Sequence, residues 1–334
     1  MKNRHKLLAL GGLLGALFLL SFLWGRLEVP FGEVVRILAH RCGAPLSVTW
    51  TDAMAAAVLN IRLPRILLAI LVGCALSAAG TAYQSVFQNP MASPDILGAS
   101  SGACFGAALA ILLGFPGQGV TALAFGFSLL TVGLVYAVGR RARGSRVLNI
   151  LLAGIMVSSL FSAGTSYIKL VADPNSKLPE ITYWLMGSLS GTRMGEVKFL
   201  LPALLLGLVP LLGLRWRINL LTLGEEEAAS MGVDAGRLRL VVIFCATILT
   251  AASVSVSGMI GWVGLVIPQL SRRLVGSDCR CLLPASMLMG GAFLLLVDNV
   301  SRNLLATEIP IGILTAFIGA PFFLRLMTRK EGWT

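Results

Sequence analysis

The sequence has few charged residues for its length. Asp, Glu, Lys and Arg make up 13% of its 334 residues, hydrophobic residues make up 56%, and the mean hydropathy is +0.85. Soluble domains carry roughly 25% charged residues. The composition therefore excludes an ordinary soluble enzyme. It predicts an all-α, polytopic membrane protein with a single transmembrane domain over residues 1–334.

Groups that carry a proton or bind a metal are almost absent from the apolar stretches. The two histidines, His5 and His40, lie outside them, and we predict Asp95, Asp298 and Glu308 at or near span ends. Ion-coupled transporters keep Asp, Glu or His within a span. The sequence therefore disfavours a proton or sodium relay, and it offers no haem ligand within a span.

The sequence also lacks a nucleotide-binding loop and a zinc motif. No G-x-x-x-x-G-K-[ST] pattern occurs, and no Gly is followed by Lys. The spacing of Cys279 and Cys281 does not match a zinc site, and Cys74, Cys104 and Cys245 lie in apolar runs. We predict no catalytic residue, no metal site and no cofactor bound by this chain, so ATP and Mg²⁺ would bind to a partner subunit.

Long uncharged runs occupy most of the chain. A span needs about 20 mostly apolar residues to cross about 30 Å of hydrocarbon. Turn-forming glycines and prolines divide the runs at 96–139 and 240–271 into two segments each. We therefore predict ten transmembrane helices. The uncharged runs are 7–25, 66–94, 96–139, 147–168, 199–214, 240–271, 282–297 and 309–324.

The excess of basic residues predicts the topology. The chain has 27 Lys and Arg against 15 Asp and Glu, a net charge of +12. Most of the basic residues fall on one side if the spans alternate, and basic loops stay in the cytoplasm. We predict cytoplasmic N- and C-termini in the cell inner membrane, with lipid and not nucleic acid as the partner. The first run is predicted to be a retained span, because no small-residue cleavage site follows it.

A stripe of hydroxyl groups follows the run at 147–168. Ser158, Ser162 and Ser166 recur every four residues, and Thr165 is beside them. Such a face is what a path for a hydrated solute needs, although serine can also bond the helix carbonyl four residues back. We predict that these four residues line a translocation path.

The longest predicted cytoplasmic loop, residues 215–239, contains a short helix signal. Its glutamates favour a helix start, its alanines favour helix, and its last glycine favours a stop. We predict a two-turn helix that docks on a soluble partner, with a solvated loop helix as the alternative. The residues are Leu223, Gly224, Glu225, Glu226, Glu227, Ala228, Ala229, Ser230, Met231 and Gly232.

Three arginines lie on the predicted outer side, where arginine should be rare. Arg62 and Arg65 begin the second span, and Arg302 follows Asp298 by four residues. They either extend to lipid headgroups or form a docking surface for acidic groups of a periplasmic protein. In the second case they would set register and association rate more than affinity.

Five segments together resemble the permeases of the iron-chelate, haem and cobalamin uptake ABC transporters, the type II importers. The resemblance extends over essentially the whole chain. One departure is visible, because these permeases usually carry His after Val-Ile-Pro and this chain has Gln269. The segments are 62–65 (RLPR), 88–103 (QNPMASPDILGASSGA), 223–232 (LGEEEAASMG), 261–269 (GWVGLVIPQ) and 308–321 (EIPIGILTAFIGAP).

The resemblance implies ten spans per subunit and a homodimer with a central path. It also implies two cytoplasmic ATPase subunits and one periplasmic binding protein. By motif match, Arg62, Arg65 and Arg302 would meet glutamates of the binding protein, and the 223–232 helix would sit in a groove of the ATPase. The chain itself would be a transport subunit, not an enzyme.

Several functions remain open at this stage. A ferric siderophore is the default cargo, and cobalamin, haem and molybdate or tungstate are the alternatives, since importers of all these share the fold. An ion-coupled secondary transporter would want intramembrane carboxylates, and a multi-span membrane enzyme would want clustered His, Asp or Glu at one membrane face. The sequence shows neither pattern.

Overall fold

The structure, a computed structural model, describes residues 2–25, 27–141, 143, 146–222 and 225–328, and within these ranges it is all-helical. A π-helical segment, Ala57–Arg62, joins α3 to α4, and a 3₁₀ turn, Pro94–Leu97, precedes α5. The α-helices are α1 Lys2–Ser21, α2 Phe31–Arg41, α3 Asp52–Ala56, α4 Leu63–Val86, α5 Ala99–Leu112, α6 Gly117–Arg141, α7 Arg146–Val171, α8 Lys177–Leu185, α9 Met194–Leu221, α10 Glu225–Ser230, α11 Ala235–Ser257, α12 Val263–Val275, α13 Cys279–Asn303 and α14 Ile311–Thr328.

All ten predicted spans are helical, which confirms the all-α fold. They correspond to α1, α4, α5, α6, α7, α9, α11, α12, α13 and α14. Among the described residues, seven helical stretches are long and apolar enough to cross a membrane. The run at 240–271 breaks at Gly258, whose φ of +68° ends α11 in a conformation that glycine adopts without strain.

Four helices lie outside the predicted spans. His40, expected in an outer loop, lies near the end of α2, whose Val34 and Ile37 face the protein interior. The others are α3, α8 and α10. All four are short, between five and eleven residues, so their pattern is too brief for a hydropathy window of span length.

Helix α4 is the centre of the bundle and packs by direct backbone contact. A Cβ on Gly73 would come 2.2 Å from Gly290 O of α13, and a Cβ on Gly80 would come 1.8 Å from Gly264 O of α12. Membrane helices associate closely through such small residues because lipid gives no hydrophobic drive between them. These contacts fix α4 against α12 and α13.

The helix ends define two opposite faces. On one, the α10 face, Asn3 Nδ2 donates to Val275 O at 3.0 Å and Asn219 Nδ2 donates to Asp278 Oδ1 at 2.7 Å. The start of α1, the end of α9 and the turn between α12 and α13 therefore lie together. On the other, the Arg65 face, the start of α4 meets the end of α13. Helix α1 therefore begins on the same face as the predicted cytoplasmic loop, residues 215–239.

The segment between α4 and α5 turns back into the bundle. α4 ends at Val86, yet a Cβ on Gly264 would come 2.3 Å from Pro94 Cγ and 2.8 Å from Leu76 O. Leu76 is about 15 Å from the end of α4 at 1.5 Å per residue. The 3₁₀ turn and the start of α5 therefore lie deep between the two faces.

Candidate functional site

Arg65 is at the centre of a buried ionic cluster on the Arg65 face. Its Nε donates to Asp298 Oδ1 at 2.9 Å, and its Nη1 donates to Glu308 Oε1 at 2.9 Å. The Arg65 side chain is 7% exposed and that of Asp298 is 0% exposed. One guanidinium therefore joins α4, α13 and the connection to α14, which the sequence did not predict.

The other two predicted docking arginines are also buried. Arg62 donates to the carbonyl oxygens of Phe22 and Leu27, which follow α1. Arg302 donates to Ser21 O at 3.2 Å and to the Asn299 side chain, and its Nε lies 3.6 Å from Asp298 Oδ2. The prediction that these arginines dock a binding protein is not tested by this arrangement. The internal contacts show that they also hold four chain segments together.

The α10 helix has the predicted stop. Gly232 has a φ of +76°, its N–H donates to Ala229 O at 2.9 Å, and Val233 N donates to Ala228 O at 3.0 Å. These two bonds form a Schellman motif. Leu223 and Gly224 lie outside the described residues, as do the side chains of Glu225 and Glu226.

The described side chains of α10 divide into a buried contact and an exposed surface. Ala228 is fully buried and fixes the helix to the bundle, while Glu227, Ala229, Ser230 and Met231 are exposed. The exposed side of α10 is open to contact with a partner. Its docking role stays a prediction.

The hydroxyl stripe of α7 is only partly on one face. Ser162 and Ser166 are exposed and Ser158 is half-buried. Thr165 is 8% exposed, and its hydroxyl donates to Phe161 O at 2.9 Å. Thr165 therefore faces the interior of the subunit, and its path-lining role stays a prediction. The three serines remain candidates.

Gln269, the departure from the family pattern, is the centre of a buried hydrogen-bond network. Its Nε2 donates to Gln84 Oε1 at 3.0 Å and to Pro90 O at 2.6 Å, while Arg272 Nη1 donates to its Oε1 at 3.2 Å. The carboxamide thus joins α12, α4 and the returning segment. The glutamine carboxamide supplies the N–H donor for the bonds to Gln84 and Pro90.

The returning segment also contacts the end of α9. Gln88 Nε2 donates to Leu221 O at 2.5 Å, and Gln88 has a φ of +47°, which is uncommon outside glycine. Leu221 precedes α10. Contacts of Gln88 and Gln269 therefore connect the α9–α10 corner to α12 through residues 88–90.

Asp95 lies in the 3₁₀ turn directly before α5, which agrees with its prediction near a span end. A Cβ on Gly154, in the first half of α7, would come 2.3 Å from Ile96 O, so this turn lies between the helices and not at a face. Asp95 is exposed within a recess and accepts a hydrogen bond from the Ser100 hydroxyl. The sequence does not show how deep Asp95 lies in the bundle, because the chain returns into the bundle after α4.

No described group of three or more His, Cys, Asp or Glu could hold a metal ion. Three sites remain of interest: the ionic cluster around Arg65, the α10 helix, and the recess lined by Ser93, Asp95 and Ser100. None of them places an activated nucleophile beside a base.

Comparison with known proteins agrees with this architecture. The model of the FecCD transport family matches residues 13–329. The molybdate import system permease protein MolB of Haemophilus influenzae is 45% identical over 268 residues, which cover 80% of this chain and 79% of MolB. The cobalamin import system permease protein BtuC of Halobacterium salinarum is 43% identical over 291 residues, 86% of this chain and 78% of BtuC.

Solved structures give the same result. An inward-facing metal-chelate type ABC transporter matches with a TM-score of 0.87 and 39% identity, over 97% of this chain and 99% of that chain. PsaBC from Streptococcus pneumoniae has a TM-score of 0.56 and 16% identity over 78% of this chain and 89% of that chain, and shares the fold. The chain belongs to the FecCD transport family and is a multi-pass membrane permease of the ABC importer class.

Proposed function

We propose that this chain is the permease subunit of an importer that moves a metal chelate, a ferric siderophore by default, from a periplasmic binding protein into the cytoplasm. The observation that carries the proposal is the match to a metal-chelate type ABC transporter along 97% of the chain. Iron also appears in the names of relatives from Helicobacter pylori (iron chelatin) and Bacillus subtilis (Fe(3+)-citrate).

The working assembly in this proposal contains two copies of the chain, two ATPase subunits and one binding protein. The α10 face is cytoplasmic because Arg215, Arg237, Arg272 and Arg280 lie beside it. The Arg65 face is then periplasmic and receives the binding protein. Both termini are cytoplasmic, and the membrane is the inner membrane.

Transport follows from a two-state equilibrium. ATP binding closes the ATPase pair, and α10 moves with it. Residues 88–90 transmit that motion, because Gln88 bonds Leu221 at the α9–α10 corner and Pro90 O accepts from Gln269 of α12. ATP supplies the free energy for this shift because it binds the outward- and inward-open states with different affinities.

Molybdate or tungstate is the second candidate cargo. MolB, named for molybdate import, is 45% identical to this chain, slightly more than the relatives named for iron chelatin at 42% and 40%. Relatives named for cobalamin and hemin are 43% and 39% identical. Identities this similar do not rank cargoes, so the cargo must be identified by measurement.

The decisive experiment is ATPase activity in proteoliposomes that contain the permease and its ATPase, with a panel of loaded binding proteins. The ligand that stimulates hydrolysis names the cargo. Replacement of Glu225, Glu226 and Glu227 by Lys should abolish stimulation. The control is the thermal unfolding temperature of this variant in detergent, which should match that of the native permease.

Two results would overturn the proposal. If no ATPase associates and a sodium or proton gradient drives uptake, the chain is a secondary transporter. If the triple Lys variant folds and keeps full stimulation, α10 does not dock the ATPase.

A further inference from the structure

The exposed carboxylate of Asp95 lies between the two faces of the bundle. The turn Pro94–Leu97 contacts the middle of α4 at Leu76 and the first half of α7 at Gly154. A Cβ on Gly98, just after the turn, would come 2.3 Å from Ser158 Oγ. Helices α4 and α7 are both long and apolar enough to cross the membrane, so Asp95 is at the depth of the hydrocarbon.

Asp95 has no positive partner there. Its described side-chain contact is the Ser100 hydroxyl, and no ion pair joins it to a described Lys, Arg or His. Asp298 and Glu308, by contrast, both pair with Arg65. Charged residues at the centre of a bilayer are costly and face a bundle interior or a water-filled cavity. The surface around Asp95 therefore does not border lipid.

Polar and apolar residues line the recess that contains Asp95. Its polar lining includes Ser93, Ser100 and Asp95. Trp262 forms an apolar wall, in a left-handed conformation with a φ of +71° that is rare for a bulky residue. Ser158 of the α7 stripe lies against the adjacent Gly98. The carboxylate and the serine stripe thus form one polar surface.

We propose that Asp95 lines the aqueous translocation path and sets its charge preference, attracting cationic and hydrogen-bond-donating groups of the cargo and repelling oxyanions. The inference rests on the proposed transport function and extends it to cargo charge. A low-dielectric wall with one sign of charge concentrates counter-ions by tenfold or more. Cationic or neutral chelates would pass this point more readily than molybdate.

The test measures local charge without ATPase or cargo. Ser162→Cys is introduced into the full-length permease in lipid nanodiscs, with the exposed Cys42 replaced by Ser. The thiol is modified by methanethiosulfonates that carry either a trimethylammonium or a sulfonate group, and mass spectrometry of the α7 peptide gives both rates. Their ratio cancels any change in thiol ionisation.

We expect the cationic reagent to react faster, and Asp95→Asn to lower the ratio by about tenfold. Ser166→Cys, one turn further along α7, should show a smaller ratio. Asp52→Asn removes the same charge from an exposed residue at the start of α3 and should change nothing. Ser100→Ala keeps the Asp95 charge and should keep the ratio, which separates charge from folding defects.

The proposal is overturned if Asp95→Asn leaves the ratio unchanged, or if neither reagent reaches Ser162→Cys because lipid covers that face. If Asp95→Asn does not fold, Asp95→Glu replaces it. The Glu variant must then keep the high ratio that Ser162→Cys shows with Asp95 in place. Failure of the ATPase experiment leaves this measurement intact, because it needs only the purified permease.

Discussion

Arg65 of α4 and Asp298 of α13 are 233 residues apart in sequence, and their Nε and Oδ1 atoms are 2.9 Å apart in the structure. Asp298 has no exposed surface. Glu308 and Arg302 complete the cluster, so two positive and two negative side chains meet where α4, α13 and the connection to α14 converge. Arg65, which was predicted to dock a binding protein, therefore also joins three segments of the bundle.

The first prediction concerns the loss of one charge from this cluster. Asp298→Ala leaves the buried Arg65 with Glu308 as its remaining partner and should destabilise the protein by about 3–5 kcal/mol. The double variant Arg65→Met, Asp298→Leu removes both charges and should cost less than Asp298→Ala alone. Thermal unfolding in detergent measures both.

Arg36→Gln is the control, because Arg36 and Glu33 form an exposed pair worth about 0.2–1 kcal/mol. An Asp298→Ala variant as stable as Arg36→Gln would contradict the structural role. In that case the arginines would be available for a binding protein.

The second prediction concerns backbone packing. Gly80→Ala should destabilise by about 1–3 kcal/mol, because its Cβ would lie 1.8 Å from Gly264 O and α4 and α12 would have to separate. Gly126→Ala, in α6 with no atom within 4 Å of the added Cβ, should be neutral or slightly stabilising. Equal melting temperatures for the two variants would show that α4 and α12 are not in backbone contact.

The third prediction concerns Gln269. Gln269→Leu removes the donor to Pro90 O, which leaves a buried carbonyl unsatisfied at a cost of about 1–3 kcal/mol, while Gln84 Oε1 keeps Arg272 Nη2 as a donor at 3.5 Å. Gln269→His restores a donor and is the residue that the family resemblance leads us to expect there. We expect the Leu variant to hydrolyse more ATP per cargo molecule moved, and the His variant to keep the native ratio.

The comparison of these two variants separates coupling from folding. If the Leu and His variants both lower the melting temperature while the ratio of hydrolysis to uptake stays native, the network is structural and does not link α12 to α10.

The fourth prediction concerns Asp278, which caps α13 on the α10 face. Its Oδ1 accepts from Arg280 N at 2.9 Å and from Asn219 Nδ2 at 2.7 Å. Partial burial raises the pKa of Asp278, but the hydrogen bonds from Arg280 and Asn219 outweigh it, and the pKa lies below its ordinary value. Ionised Asp278 therefore favours the folded state.

The lowered pKa of Asp278 determines how its contribution to the stability of the fold depends on pH. The stabilisation is fully present above the unfolded pKa of about 3.9 and is lost as pH falls through the lower folded pKa. Asp278→Ala should cost about 1 kcal/mol at neutral pH as a lost cap. Asp278→Asn keeps a capping group but does not titrate, so its deficit against the native chain should shrink in acid. A deficit that stays constant down to pH 3 would contradict this role for the carboxylate.

Much of the fold was predictable from local sequence. Uncharged runs identified the ten spans, and the glycines near 258 placed the break between α11 and α12. Gly232 placed the end of α10. Each of these depends on hydropathy or on a backbone conformation that a few neighbouring residues determine.

The polar sites were predictable only in part. Arg62, Arg65 and Arg302 were identified as unusual, but their partners are distant in sequence or are backbone carbonyls that no motif marks. Asp95 lies near the start of a span, as predicted, but hydropathy does not reveal that this segment returns into the bundle. Thr165 is buried within the subunit, and its path-lining role stays a prediction.

The sequence by itself determined that this protein spans a membrane through many helices and to which family it belongs, because burial in lipid imposes a composition on every span. The tertiary structure decided which charges are paired. Arg65 is neutralised by Asp298 and Glu308 through helix packing, whereas no cation among the described residues pairs with Asp95 in its recess. Electrostatic energy depends on distance between atoms, and only the packed helices fix those distances.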